Sequence, residues 1–436
     1  MPQTAPYTER RAAPRRQSGS ILDRLDKRVP KQDSATGGSG AGAFEGLTDP
    51  KLKETNLSPA LTRVEITPLT SFDGTIIGYG SVKESMYTML KGFTSLVQKN
   101  KSTDPRVKAE AAQYVRDRLG GEALHGFLLY GPPGTGKTEF ANAFAAIAKA
   151  RLGSIPLTYY RLNAGVLKSS LYGATSAEYD KVFRTIKDGT KPVILFIDEA
   201  EAVFPRSGAN THEETHNAVA TAKELLGKIG QDPEILVIMA TNHVDRMDPA
   251  IIRTGRLDDR INVPLPNERE KFAMLQHYKT KSGLPFDQDI EWRNIATQLK
   301  HGRASGADIR GFMKTVGREV SSIEDAIQNG RLLVGVRRVV KGKNGEEEQD
   351  VLLQPPVHVN MPASIEEARN SADFDILDPA TGATPEMLGL KITTATGNPN
   401  RIKSVKVTHV TNMMVQWALK KFDERSQTDL DGLRGK

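Results

Sequence analysis

The chain has 436 residues, 38% of them hydrophobic and 26% charged, which is enough to bury a sizeable core in two or three domains. No apolar run approaches the roughly 18 residues that a membrane span requires and the first residues lack the apolar core of a signal peptide, so we expect no membrane span and a cytoplasmic protein. The absence of cysteine excludes disulfides, thiolate zinc ligands and a cysteine nucleophile, and a net charge of +7 gives only weak support for binding to nucleic acid.

Residues 1–54 are predicted to form a disordered basic tail. They are rich in Ala, Gly, Ser, Pro and Arg, and such a segment buries too little apolar surface to offset the entropy of ordering. Within the tail, Ile21, Leu22 and Leu25 would lie together if "SGSILDRLDKRV" formed an amphipathic turn. A solvated leader and a docking motif for a partner are both open interpretations.

An apolar run at Phe127–Tyr130 predicts a buried strand. It is followed by "GPPGTGKT" at residues 131–138 and then by apolar residues at helical spacing. Strand, glycine-rich loop and helix in this order form a P-loop, whose backbone N–H groups turn toward phosphate oxygens at the positive end of the helix. Lys137 is expected to reach the β- and γ-phosphates, and the Thr138 hydroxyl is expected to ligate Mg²⁺.

A second apolar run, Val193–Ile197, predicts a strand buried on both faces and ends at Asp198 and Glu199. In open α/β sheets, ligands bind at the carboxyl edge of the strands, where these two carboxylates would emerge. We expect Asp198 to hold the hydration shell of Mg²⁺ and Glu199 to polarise an attacking water.

A third predicted strand, Ile235–Ala240, delivers Asn242 to the same edge. Its amide would orient the water or sense the γ-phosphate. Farther along the chain, Arg253 and Arg256 would stabilise the transferring phosphoryl group if their guanidinium groups pointed at it, although surface arginines are usually just solvated.

The segments "GPPGTGKT", "ILFIDEAE", "ATN" and "DPAIIRTGRLDDRI" occur in the order and spacing of the AAA clade of the AAA+ ATPases, which the chain resembles from Ile77 to Ile323 and again near its C-terminus. The resemblance implies an α/β fold: a P-loop AAA+ module, in which helices flank a parallel sheet, followed by an α-helical lid. In this sequence the lid is predicted to carry a β-rich insertion. It also implies ATP and Mg²⁺ as cofactors. Because a neighbouring subunit completes each site in this family, it further implies a homo-oligomeric ring, usually a hexamer.

The resemblance assigns roles to individual residues. Thr138 and, through water, Asp198 would hold Mg²⁺. The implied catalytic residues are Glu199 of Walker B, Asn242 of sensor 1, and Arg253 and Arg256 as arginine fingers. The implied nucleotide-binding residues are Ile77, Gly78, Pro133, Gly134, Thr135, Gly136, Lys137, Thr138, Glu139, Asp198, Gly306 and Ala307. Glu139 and Glu201 depart from the family pattern, which usually has an apolar residue and Asp at these positions.

The segment "LKSSLYGATSAEYDKVF" stands where the family has its first pore loop, which grips an extended polypeptide substrate. Gly173 lies ten residues before Phe183, as in the family, but the aromatic residue is shifted by one, with Leu171 and Tyr172 before the glycine. The resemblance implies that Leu171, Tyr172 and Gly173 contact a protein substrate in the pore. The alternative is that they are loop residues that pack locally.

The expected domain order follows from these motifs. After the tail come an α/β nucleotide-binding domain at 55–266, a helical lid at 267–330, an insertion at 331–406, and the last lid helix with the C-terminal tail at 407–436. Within the insertion, Asn344 and Gly345 between two β-type runs predict a hairpin, and Leu390–Thr394 predicts another strand. The insertion would bind a substrate or adaptor, brace neighbouring subunits, or be a tolerated addition.

Cross-strand charge pairing across this hairpin would account for its basic and acidic residues without invoking nucleic acid. The basic members are Arg337, Arg338, Lys341 and Lys343, and the acidic members are Glu346, Glu347, Glu348 and Asp350.

The segment "THEETH" contains the H-E-x-x-H pattern of zinc proteases, with His212 and His216 one helical turn apart. A catalytic zinc needs a third protein ligand, for which Glu224 and Glu234 are arbitrary candidates. The segment falls where the family has its second pore loop. Thr211 and Glu214 form a helix-capping box. We therefore expect the histidines to face substrate in the pore or simply to begin a helix, rather than to hold zinc.

Together these features predict an ATP-driven ring that remodels, unfolds or disassembles a protein substrate threaded through its pore, with an adaptor bound by the tail or the insertion. Two alternative hypotheses also assume ATP hydrolysis but assign it a different role. One is a motor or loader associated with nucleic acid, suggested by a pI of about 9.2 and the arginines of the tail. The other is an assembly factor in which hydrolysis switches the oligomeric state.

Overall fold

The computed structural model describes residues 58–118, 126–164, 166, 175–188, 191–206, 220–224, 226, 232–251, 257, 259–342, 345–371, 373–377 and 383–434. Their backbone divides into two compact units. The first takes the described residues up to 278 together with 292–311, and the second takes 279–291 and 312 onward. The domain boundaries expected from the sequence remain a prediction.

The first unit is built on a six-stranded sheet in the order β1-β3-β4-β5-β2-β6. β1 is antiparallel to β3, and the other neighbours are parallel. The strands are β1 (Leu61–Arg63), β2 (Gly126–Tyr130), β3 (Thr158–Leu162), β4 (Val193–Ile197), β5 (Ile235–Thr241) and β6 (Asp259–Asn262). The three strands predicted from apolar runs are confirmed, β4 with the predicted bounds and β2 and β5 one residue longer.

Eight α-helices occur in the described residues up to Gln328. They are α1 (Gly80–Asn100), α2 (Pro105–Arg118), α3 (Lys137–Leu152), α4 (Thr175–Asp188), α5 (Ala200–Val203), α6 (Glu268–Ser282), α7 (Trp292–Gln298) and α8 (Gly306–Gln328), with 3₁₀ turns at Val244–Arg246 and Leu299–Gly302. In the part of the chain that the structure describes, no helix is both long enough and apolar enough to span a membrane.

The sheet forms because its central strands consist of apolar residues that can be covered on both faces. Every residue of β4 and β5 is buried, as expected for parallel strands with helices on either side. The α3 helix covers β2, with the rings of Phe127 and Phe144 5.3 Å apart between centroids. Strand register then places the strand ends together, since Ile197 lies opposite Met239 and Tyr130 opposite Thr241.

The second unit contains the strands of the expected insertion. β7 (Leu332–Gly342) and β8 (Gly345–Leu353) form an antiparallel hairpin, and β9 (Asp375–Ile376) pairs with β7. A separate two-stranded ribbon consists of β10 (Leu390–Ala395) and β11 (Asn398–Val407). The α9 helix spans Ile365–Asn370 and the α10 helix Asn412–Arg434. The predicted hairpin and the predicted strand at Leu390 are confirmed, although Lys343 and Asn344 lie outside the described residues.

The expected charge pairing across the hairpin is confirmed for Arg337 and wrong for Arg338. Arg337 lies 3.3 Å from the Asp350 carboxylate and 3.5 Å from that of Glu348. Arg338 instead donates to the carbonyl of Pro399 and to the side chain of Asn400, because β11 runs past this side of the hairpin. Local cross-strand register therefore explains the first pair but not the second.

Candidate functional site

The P-loop joins β2 to α3 and has the backbone geometry that phosphate binding requires. Gly134 and Gly136 have φ of 76° and 90°, values that favour glycine over residues with a side chain. The α3 helix begins at Lys137 with Gly136 as its N-cap and without a capping side chain. Its first N–H groups are therefore left for an anion at the positive end of the helix.

The Lys137 ammonium lies within the loop itself. Its Nζ donates to the carbonyls of Gly131, at 2.9 Å, and of Pro132, at 2.8 Å. Burial lowers the pKa of Lys137, and the nearby carboxylates of Asp198 and Glu201 oppose that shift. The only strongly cationic side chain of the loop is thus held beside the phosphate-binding backbone, close to two acidic groups.

Thr138 and Asp198 are brought into direct contact although they lie 60 residues apart. The Thr138 hydroxyl donates to Asp198 Oδ2 at 2.9 Å, because α3 begins beside the carboxyl end of β4. A hydroxyl and a carboxylate are oxygen ligands of the kind that Mg²⁺ prefers. The two predicted metal residues therefore form one oxygen cluster.

Glu199 and Asn242 follow the ends of neighbouring strands, and both side chains are exposed. Glu199 has φ of 49° and is the N-cap of the short helix α5. A left-handed conformation at a residue other than glycine is strained and is frequent at functional sites. Both predicted catalytic side chains therefore reach solvent at the carboxyl edge of the sheet, next to the Thr138–Asp198 pair.

Glu201 holds these two strand ends together, a role that the sequence did not indicate. Its Oε2 accepts the Thr241 hydroxyl at 2.6 Å, and Thr241 Oγ1 in turn accepts the N–H of His243 at 2.9 Å. The bond connects the turn after β4, which carries Glu199, to the end of β5, which carries Asn242. The departure from Asp at this position was visible in the sequence, but its partner is 40 residues away.

On the side away from the Thr138–Asp198 pair, the P-loop packs against the start of α8. The Ala307 N–H donates to the Gly134 carbonyl at 3.0 Å. A Cβ on Gly134 would come within 2.5 Å of Ser305 Oγ. Gly306 lies beside this contact, so the predicted lid residues Gly306 and Ala307 are brought to the P-loop.

The remaining predicted nucleotide-binding residues differ in their exposure to solvent. Ile77 and Gly78 are half-buried in the segment before α1, while Pro133 and Glu139 are exposed. Thr135 is buried, and its hydroxyl donates to the Pro132 carbonyl at 3.0 Å.

Seven predicted site residues lie outside the described part of the chain, so their placement stays a prediction. These are Leu171, Tyr172, Gly173, His212, His216, Arg253 and Arg256.

Glu234, one of the candidates for a third zinc ligand, is engaged elsewhere. Its carboxylate accepts from the Asn100 amide at 2.6 Å and lies 2.8 Å from the Lys101 ammonium. Among the described residues, no three His, Asp or Glu side chains are grouped as a metal site. Glu234 is thus held by Asn100 and Lys101, while His212 and His216 lie outside the described residues.

The donors and acceptors of this edge fit a nucleoside triphosphate with Mg²⁺. A helix N-terminus and an ammonium face the position of the phosphates, and a hydroxyl and a carboxylate are paired for the metal. A Cβ on Gly136 would meet no atom within 4 Å, so the space next to this residue is open.

Comparison with known proteins agrees with this geometry. The family model for the "ATPase family associated with various cellular activities (AAA)" matches residues 127–265. The chain is 34% identical over 235 residues to proteasome-activating nucleotidase of Methanopyrus kandleri, covering 53% of this chain and 51% of that protein. It is 32% identical over 197 residues to the cell division cycle protein 48 homolog of Archaeoglobus fulgidus, covering 45% and 25%.

A third relative is ribosome biogenesis ATPase RIX7 of Saccharomyces cerevisiae, with 31% identity over 198 residues, which cover 45% of this chain and 23% of the relative. The chain thus spans about half the length, or less, of the curated relatives it matches. The matched residues include the P-loop, the Asp198–Glu199 pair and the end of β5. With this match added to the geometry of the sheet edge, residues 127–265 of the chain form an ATPase domain of the AAA family.

Proposed function

We propose that the protein is an ATP-hydrolysing ring motor that remodels, unfolds or disassembles protein substrates through a central pore. The observation that carries the hydrolytic part is the 2.9 Å contact between Thr138 and Asp198 at the edge where Glu199 and Asn242 also emerge. Phosphate binding, metal binding and water activation would then share one site. Protein remodelling is supported by the similarity to a proteasome-activating nucleotidase.

Each residue of the edge would have a separate task. Lys137 and the N–H groups at the start of α3 would bind the phosphate oxygens. Thr138 and, through water, Asp198 would hold Mg²⁺, which when bound neutralises charge on the phosphates. Glu199 would accept the proton of the attacking water, and Asn242 would orient that water. The Glu201–Thr241 bond would keep Glu199 and Asn242 at a fixed separation.

The proposed ring follows from the arginines. Arg253 and Arg256 would act on the ATP of a neighbouring subunit, so that a monomer would have only an incomplete site. A closed ring of identical subunits, six in the usual form of the family, satisfies this requirement because every subunit both gives and receives a finger. Leu171, Tyr172 and Gly173 of the first pore loop and His212 and His216 of the second would then contact the polypeptide.

A subunit-mixing experiment tests the ring. We expect Arg256→Ala and Glu199→Gln proteins each to hydrolyse ATP at least ~10²-fold more slowly than wild type. An equal mixture should regain roughly a quarter of wild-type activity, since about one neighbouring pair in four would combine an intact glutamate with an intact arginine. The measurement is steady-state phosphate release after the subunits have been dissociated and reassembled together.

Two controls complete this test. Each variant reassembled alone shows whether reassembly itself changes the rate. A mixture of Arg256→Ala with Lys137→Ala subunits should recover in the same way, because the Lys137→Ala subunit still offers Arg256. No recovery in either mixture would contradict a finger that acts between subunits.

The kind of substrate is tested by stimulation. An unfolded protein such as permanently unfolded casein should raise the rate of ATP hydrolysis severalfold, whereas duplex DNA or RNA should leave it unchanged. If nucleic acid stimulated hydrolysis instead, with the steep salt dependence of phosphate contacts, the motor or loader associated with nucleic acid would replace our proposal. Stimulation by neither polymer would favour the assembly factor.

A further inference from the structure

The helix α1 begins in a strained segment that no side chain of its own caps. Gly78 and Tyr79 have φ of 78° and 59°, so two successive residues are left-handed and the second is not glycine. Tyr79 is the N-cap of α1, and its side chain makes no capping hydrogen bond. Such a start leaves backbone N–H groups without partners inside the helix, and a tyrosine in this conformation needs support from its surroundings.

Glu270, from α6, supplies that support. Its Oε1 accepts the Tyr79 N–H at 2.5 Å. The stem of the same side chain lies against Gly78, where a Cβ would come within 2.7 Å of Glu270 Cγ. A carboxylate at the positive end of α1 is also electrostatically favourable. Glu270 thus both bonds to and packs on the two strained residues.

The second oxygen of Glu270 closes the start of its own helix. Oε2 accepts the Asn267 N–H at 2.9 Å, and the Asn267 side chain accepts the Glu270 N–H at 3.0 Å. This reciprocal pair is a capping box. One carboxylate therefore bonds to the start of two helices, and one of its partners, Tyr79, is 191 residues away in the chain. Neither oxygen can move without breaking one of these bonds.

The helix α6 also contacts the opposite side of the proposed nucleotide site. Met274 lies one turn after Glu270, and a Cβ on Gly306 would be 3.8 Å from its Sδ and 3.6 Å from the Gly134 carbonyl. Through Glu270 and Met274, α6 thus contacts both the segment at Ile77–Tyr79 and the residues beside the P-loop. The distance between the Ile77–Tyr79 segment and the residues beside the P-loop therefore depends on α6.

We propose that Glu270 is a positioning residue for nucleotide binding. It holds Ile77–Tyr79 at the separation from α6 and Gly306 that an adenine base needs, without itself touching the nucleotide. This inference rests on the proposed function, because it takes Ile77 and Gly78 as the base-side residues. It predicts that affinity and preference for adenine depend on a carboxylate outside every motif of the site.

The test compares Glu270→Gln and Glu270→Ala with the wild-type protein. Glutamine has the same shape but places an NH₂ group against one of the two backbone N–H donors, so one cap is lost, whereas alanine removes both. We expect the dissociation constant for ADP to rise about 10-fold with glutamine and more with alanine. The KM for ATP should rise in parallel while kcat stays within about twofold, because Glu270 lies away from the catalytic pair.

Two further measurements separate positioning from general stability. Hydrogen exchange at residues 76–83 of the nucleotide-free protein should accelerate in both variants, since the Tyr79 amide loses its acceptor. The ratio of KM values for GTP and ATP should fall toward one, an effect that loss of stability alone would not produce. Glu270→Gln keeps the inference testable should the alanine variant fail to fold.

Two matched controls are available in the same helix turn. Glu268→Gln makes the same chemical change at an exposed position and should leave ADP affinity unchanged. Asn267→Ala removes one side of the α6 capping box but leaves the bond from Tyr79 to Glu270, so it should accelerate exchange at the start of α6 with at most a twofold change in affinity.

The possible results distinguish failure of the Glu270 inference from failure of the proposed function. Wild-type affinity and wild-type base preference in Glu270→Ala would overturn the inference, as would an equal loss of affinity in Asn267→Ala, which would assign the effect to the cap of α6. Neither result would bear on ATP hydrolysis by the wild type. Failure of the wild-type protein to bind ADP or ATP would instead refute the proposed function.

Discussion

Glutamine in place of Glu199 is expected to lower the rate of ATP hydrolysis at least ~10²-fold while ATP remains bound, the range that loss of a general base produces. The side chain is exposed at the carboxyl edge of the sheet and its backbone is held left-handed, with φ of 49°. Glutamine keeps the size of the side chain and removes only its ability to accept a proton. The loss should therefore fall on kcat and not on the dissociation constant for ATP.

The measurement pairs single-turnover hydrolysis with equilibrium binding of a fluorescent ATP analogue. Glu84→Gln, at an exposed position of α1, is the matched control and should behave as wild type. An unchanged kcat in Glu199→Gln would remove Glu199 from the chemistry. A kcat loss accompanied by an equal loss of ATP affinity would instead indicate damage to the site as a whole.

If the protein forms the proposed ring, the same variant should hold it in its ATP-bound state with its substrate attached. Proteins captured with Glu199→Gln in ATP, and released on exchange into ADP, can be identified by mass spectrometry. A parallel capture with a chain lacking residues 1–54 shows which of them depend on the basic tail. Proteins lost only from the shortened chain would be bound by the tail, whereas those retained by both would bind the ring or the insertion.

The strands and loops of the nucleotide site could be predicted from the sequence because local patterns determine them. Val193–Ile197 and Ile235–Ala240 are short continuous apolar runs, which favour a strand covered on both faces, and the structure has them in β4 and β5. In a parallel sheet both end at one edge. The proximity of Asp198 and Asn242 then follows from sheet topology alone.

Contacts between side chains far apart in the sequence could not be predicted in this way. The Glu201–Thr241 bond spans 40 residues, and the Glu270–Tyr79 bond spans 191. The motifs assign no role to any of these four side chains, and each bond depends on where a helix packs against a strand or loop. The capping box of Asn267 and Glu270 is visible in "NERE", but the second helix that the same carboxylate caps is not.

Backbone strain could not be predicted from the sequence either. The sequence favours a left-handed residue at Gly78, yet Tyr79 and Glu199 adopt this conformation too. Both stand at the first turn of a helix, where tertiary contacts outweigh the intrinsic cost of the conformation. The sequence likewise did not indicate that Arg338 would bond to β11, because that strand lies about sixty residues later in the chain.

Lys137→Met is expected to abolish measurable ATP binding without destabilising the nucleotide-free protein. Lys137 is 7% exposed, and burial lowers its pKa. A folded-state pKa below the unfolded value means that the charged ammonium is disfavoured by folding, so removing the charge relieves that cost. The nearby carboxylates of Asp198 and Glu201 offset only part of that cost. Methionine fills a similar volume, so packing should be kept.

Thermal and urea unfolding, with and without ATP and Mg²⁺, check both halves of this expectation. ATP at 100 times its dissociation constant should stabilise the wild-type protein by about 2.7 kcal/mol and should leave Lys137→Met unchanged. The exposed Lys91→Ala substitution in α1 is the control and should retain the full shift. A stabilising shift in Lys137→Met equal to that of wild type would contradict the assignment of Lys137 to the phosphates. A large loss of stability in the nucleotide-free variant would show instead that the two carbonyl contacts, rather than phosphate, are the reason for a buried ammonium at this position.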